Sequence, residues 1–109
     1  MIQNPSPTVS IVLTTLGADA DATAIARTLI DERLAACVNV LPPMTSVYRW
    51  QGKVEQDREQ QLVIKTAQDR LWALQARLRE LHPYELPEFL VLDAEASEAY
   101  FAWVGESAR

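Results

Sequence analysis

One cysteine, one histidine and three glycines in 109 residues leave little room for several familiar chemistries. A lone Cys37 forms no internal disulfide, so the chain suits a reducing compartment, and a multi-cysteine zinc site within one chain is excluded. Three scattered glycines build no phosphate-cradling loop, and a single histidine supplies no metal-hydrolase spacing, so no enzyme is indicated. Basic residues are scarce as well: ten Lys and Arg against fifteen Asp and Glu give a net charge of −5. Without clustered cations there is no footprint for a phosphate backbone, and nucleic acid is not expected as a partner. No apolar run approaches the roughly 20 residues that span a bilayer, and residues 1–7 hold neither a basic nor an apolar signal region. No membrane association is expected, and a cytoplasmic location is.

What remains is enough for one folded domain, because 49% of the residues are apolar and a chain of this length buries a real core. Residues 1–7, broken by Pro5 and Pro7, read as a flexible lead-in, and residues 8–109 as the domain. The β-branched run 8–16 has the composition of a central strand covered on both faces. Asp19 and Asp21 are suitable helix caps before Ala22, Ile25, Ala26, Leu29, Ile30 and Leu34, which recur at helical spacing. A second strand covers 36–41, bends at Pro42-Pro43 and resumes over 45–50. Gln51-Gly52 then predicts a tight turn into a return strand reaching Thr66. Asp69 is expected to cap a second helix with Leu71, Leu74, Leu78 and Leu81 inward, residues 89–92 form a short buried strand, and Ser97 caps a C-terminal helix.

The order β-α-β-β-α-β plus a terminal helix is a split βαβ arrangement, an α+β ferredoxin-like sandwich. It places both main helices on one face of a four-stranded antiparallel sheet, with an extended hairpin between the second and third strands. The return strand Lys53–Thr66 spans about 46 Å at ~3.3 Å per residue, while a compact chain of this size has a radius of gyration of only about 13 Å. The hairpin therefore overhangs its own domain. An isolated ribbon carrying Val47, Tyr48, Trp50 and Val54 is marginal in water unless covered, and the simplest cover is another copy of the chain.

Chemistry concentrates in His82-Pro83-Tyr84-Glu85-Leu86-Pro87-Glu88, where two prolines hold the preceding residues extended and stiffen the segment. The imidazole of His82 is a good ligand for copper, nickel or zinc, and Glu85 and Glu88 offer oxygens beside it. The spacing by itself favours a second reading, in which His82 is a helix C-terminal residue whose ring caps carbonyls. Lys65, in an otherwise apolar strand, is expected either to pair with Glu59, Glu88 or a bound anion in a cleft, or to reach water along its stem. Cys37 reads as a small buried hydrophobe. Trp50, Tyr48 and Tyr84 serve either stacking on a ligand or interface packing.

Ala35-Ala36-Cys37-Val38-Asn39, Ser46-Val47-Tyr48-Arg49-Trp50-Gln51-Gly52-Lys53-Val54, Glu59, Lys65-Thr66, His82-Pro83-Tyr84, Pro87-Glu88, Tyr100 and Trp103 together resemble the CutA divalent-cation-tolerance family. The resemblance implies a cytoplasmic homotrimer, architecturally similar to PII proteins, that responds to divalent metals such as Cu²⁺. It further implies metal ligands at His82, Glu85 and Glu88, and a ligand-binding cleft between subunits, not on one chain's surface, involving Cys37, Asn39, Trp50, Glu59, Lys65 and Tyr84. Some members use a first-strand cysteine and two adjacent histidines; Thr14 and Leu81 stand at those positions here. The implied metal is therefore weakly held, with carboxylates or water completing the site. No organic cofactor is expected. The alternative is a PII-like trimer that binds a small anionic ligand, or anchors a partner protein as implicated for animal relatives, with metal incidental.

Overall fold

The computed structural model describes residues 7–109, and the expected flexible lead-in lies outside the described residues except at Pro7, whose carbonyl accepts a hydrogen bond from Ala96 N–H. The elements are β1 (Thr8–Gly17), α1 (Ala22–Asp31), β2 (Cys37–Val40), β3 (Met44–Trp50), β4 (Lys53–Thr66), α2 (Leu71–Leu81), β5 (Leu90–Glu95) and α3 (Glu98–Ser107). The sheet runs β2-β4-β1-β5, with β3 continuing the line of β2 along β4, and all these pairings are antiparallel. This is the ferredoxin-like α+β arrangement that the hydrophobic periods predict, the bent second strand dividing at Pro42-Pro43 into β2 and β3.

Period-two alternation in β1 and β4 assigns the two faces of the sheet. Val12, Leu16, Leu62 and Ile64 lie on one face and are buried with Ala22 and Leu29 of α1 and Leu74 and Leu78 of α2, so both helices cover that face. Its polar residues are satisfied only in part: Thr66 Oγ1 donates to Leu34 O at 2.8 Å, and Gln60 Nε2 donates to Gly17 O and Ala20 O at 2.9 and 2.8 Å, while the Ser10 and Thr14 hydroxyls have no partner among the described residues. Asp21 caps α1 through Ala24 N–H, and Ser97 caps α3 through Tyr100 N–H. Asp69 does not cap α2. It sits inside a short 3-10 turn, Gln68–Arg70, and α2 starts behind Arg70 without a side-chain cap.

The other face differs from expectation. Register pairs Ile11 with Lys65 and Leu92, and Leu13 with Val63 and Leu90, which gives an apolar surface covered only at the Val9 end, where α3 packs. Two expectations are corrected here. β1 is central but only half-buried on this face, and β5 is an edge strand with Leu90 and Leu92 exposed. Their apolar composition anticipates a cover that one chain does not supply.

β1 ends opposite Glu59, so residues 53–58 pair with β3 alone and form a two-stranded arm about 20 Å long. Gln51 and Gly52 both have positive φ, 51° and 82°, the turn geometry matching the twist of the hairpin, in which only glycine is unstrained. With the arm, the molecule is 46 Å long and its radius of gyration rises to 15.0 Å. Alternation splits the arm's residues: Tyr48 and Trp50 share one face with Asp57 and Glu59, while Val47 and Val54 occupy the opposite face.

Candidate functional site

Between the root of the arm and residues 84–88 lies a cavity of about 650 Å³, lined by Thr15, Tyr48, Trp50, Glu59, Tyr84 and the run Glu85-Leu86-Pro87-Glu88. It forms because α2 delivers the chain to one edge of β1 while β3 and β4 carry the aromatic arm past the other.

His82 secures the wall. It ends α2 with an extended backbone (ψ 131°), as a residue before proline must, and its N–H donates to Leu78 O at 2.8 Å. Its Nδ1 accepts from Tyr84 N–H at 3.1 Å, which puts the ring proton on Nε2, 2.7 Å from the Thr15 carbonyl it donates to. The residue is 8% exposed, and its ring packs against that of Tyr84 at 4.7 Å. Both nitrogens are thus committed to the fold.

The carboxylates carry the electrostatics. Tyr84 Oη donates to Glu59 Oε2 at 2.7 Å, and burial together with that bond pushes the phenol well above its ordinary range. Tyr48 likewise donates to Asp57, and its phenol is pushed up to about 12. Glu88 is the uncompensated group: Oε2 is buried with no hydrogen-bond partner among the described residues. Burial, and secondarily the nearby charge of Glu59, raises its carboxyl above the usual range.

Of the residues singled out by sequence, Trp50, Glu59, Tyr84, Glu85 and Glu88 line one cavity. Cys37, Asn39 and Lys65 do not. Cys37 pairs with Lys65 and Asn39 with Val63 across the uncovered face, and Lys65 stands six residues along β4 from Glu59, about 20 Å away. Within one chain Lys65 makes no ion pair with Glu59 or Glu88 among the described residues, and the expected cleft between subunits is one that a single chain does not form. The set His82, Glu85 and Glu88 is not a preformed metal centre either, because the His82 ring has no free nitrogen and no group of three or more His, Cys, Asp or Glu among the described residues converges to hold an ion. Thr14, at the position where some relatives have cysteine, is buried on the helix-covered face, its hydroxyl without a partner among the described residues. The donors that remain are hard oxygens, which do not fit a high-affinity copper site. Thr15 was not singled out from sequence. Alternation puts it on the face opposite the core, but only the path of residues 82–88 brings it to the cavity.

Fold and site together define a ferredoxin-like α+β protein with an acidic, aromatic cavity at the root of an overhanging arm. The family model of the CutA1 divalent ion tolerance protein matches residues 10–107, and the chain belongs to that family. It is 44% identical over 98 residues to the divalent-cation tolerance protein CutA of Thermus thermophilus, covering 89% of this chain and 95% of the relative. The solved structure of a divalent cation tolerance protein from the same organism superposes with a TM-score of 0.87 over 93% of this chain and 99% of that one, at 42% identity. A PII-like CutA from a Nostoc species, in apo form, superposes at 0.85 with 36% identity, over 92% and 97% of the two chains. The relatives' names are those of tolerance proteins and name no reaction. Among the described residues no helix is long and apolar enough to cross a membrane.

Proposed function

We propose that this chain is the subunit of a cytoplasmic, PII-like homotrimer that binds cations in the cavity between the arm and residues 84–88. The observation that carries this reading is the buried, unpaired Oε2 of Glu88 in a cavity whose other charged residues are Glu59 and Glu85. Oε2 is closed off even from water, so a cation in the cavity would offset its charge across space rather than by direct contact. Divalent ions such as Cu²⁺ are held weakly, by carboxylates and water, while His82 braces the wall. Support for the trimer comes from the uncovered apolar sheet face and arm, which need a neighbour. Within this chain's own lining nothing favours a small anion, since none of these residues is basic.

Calorimetric titration with Cu²⁺ tests the reading. Affinity is expected to fall about tenfold in Glu88→Gln, as expected when one ligand charge is lost. Because a neutral acid attracts no cation and the Glu88 carboxyl is raised, wild-type affinity should begin to fall on acidification above the usual carboxylate range of about pH 4. Equal affinities in the two proteins would overturn the assignment.

A further inference from the structure

We infer that the preferred occupant of this cavity is a small organic cation, an alkylammonium or guanidinium group, over a bare metal ion. The inference deepens the cation-binding reading above and rests on it.

A bare divalent ion takes about six oxygen donors at 2–2.6 Å, so in this cavity water would have to supply several of them. The cavity offers three carboxylates, and one of them, Glu59, already accepts from Tyr84. Its volume of about 650 Å³ falls among small-molecule pockets and far exceeds an ion. Three aromatic rings line it, Tyr48, Trp50 and Tyr84, with Leu86 and Pro87 beside them. Both phenolic protons are committed to carboxylates, Tyr48 to Asp57 and Tyr84 to Glu59, so the rings present aromatic surface to a ligand. Aromatic surface next to an unpaired carboxylate attracts a weakly hydrated organic cation, which gives up its water at small cost and gains from the ring quadrupoles. A neutral apolar ligand would leave the three carboxylates lining the cavity without a compensating charge, and an anion would meet three like charges.

The test uses the full-length protein with choline and methylguanidinium as probes, and dimethylbutanol, the neutral carbon isostere of choline, as control. Succinate supplies an anion, and binding is read by calorimetry and by the shift in melting temperature. At least one of the two cations is expected to bind about tenfold tighter than the isostere. Trp50→Leu and Glu88→Gln should each weaken it by about tenfold. Trp50 lies outside the core, on the arm that the trimer would cover, so its variant is read for binding only alongside light scattering that shows the wild-type mass. Isostere binding as tight as the cations', a stabilising effect of succinate alone, or no binding of either cation would overturn the inference. A parallel Cu²⁺ titration separates the two readings. Cation binding without Cu²⁺ binding retires the metal reading alone, and Cu²⁺ binding without choline or methylguanidinium binding retires this inference alone.

Discussion

Charging Val47 and Val54 together, as Val47→Glu with Val54→Glu, is expected to break the assembly into single chains of 12.2 kDa. The two valines are 64% and 66% exposed on the arm face turned away from the cavity. A two-stranded ribbon is not independently stable, yet this one extends six residue pairs beyond the last β1 pairing. Covering an exposed valine contributes on the order of 1.5 kcal/mol or more, repeated in every subunit of a symmetric ring, whereas a carboxylate in the same contact must be desolvated without a partner. Light scattering on the wild type should give the mass of three copies, and on the variant the mass of one. Because neither valine lines the cavity, dissociation would be read free of ligand effects. A variant that keeps the wild-type mass would remove the arm from the interface.

His82→Ala is expected to destabilise the fold by about 2–4 kcal/mol, combining loss of a buried ring with loss of its two hydrogen bonds. Removing the ring leaves the Thr15 carbonyl and the Tyr84 N–H without their partners and strips support from the Tyr84 ring. For a domain of this size the melting temperature should fall by roughly 10 °C or more. Gln extends an amide N–H to about the reach of Nε2, so His82→Gln should recover part of the loss through Thr15, without restoring an imidazole. Unchanged melting in the alanine variant, together with lost Cu²⁺ binding, would return His82 to the role of ligand.

The architecture was legible because it follows from periodicity. β-branched runs, helical spacing of Leu and Ala, and the Gln51-Gly52 turn act locally, and the 14-residue length of β4 alone disclosed the overhang. The failures share a different cause. Residues 89–92 read as buried because apolar composition reports whether a strand will be covered, not by which chain. Lys65 and Glu59 lie on the same strand, and alternation alone puts them on the same side; the distance of six residues separates them. Neither reading of His82 foresaw its partners: the ring caps no α2 carbonyl and instead bonds the Thr15 carbonyl, 67 residues earlier in the chain, and the Tyr84 N–H. Such a long-range contact leaves no local trace. Glu88 was legible as an oxygen donor, but its lack of a partner is a property of the folded cavity.

The central claim is that the cavity meets its cation with carboxylates while His82 belongs to the fold. Pulsed electron paramagnetic resonance on the wild-type protein with one equivalent of Cu²⁺ tests it most directly. An oxygen-ligated spectrum without imidazole-nitrogen modulation is the predicted result, and imidazole modulation that disappears in His82→Ala would contradict it.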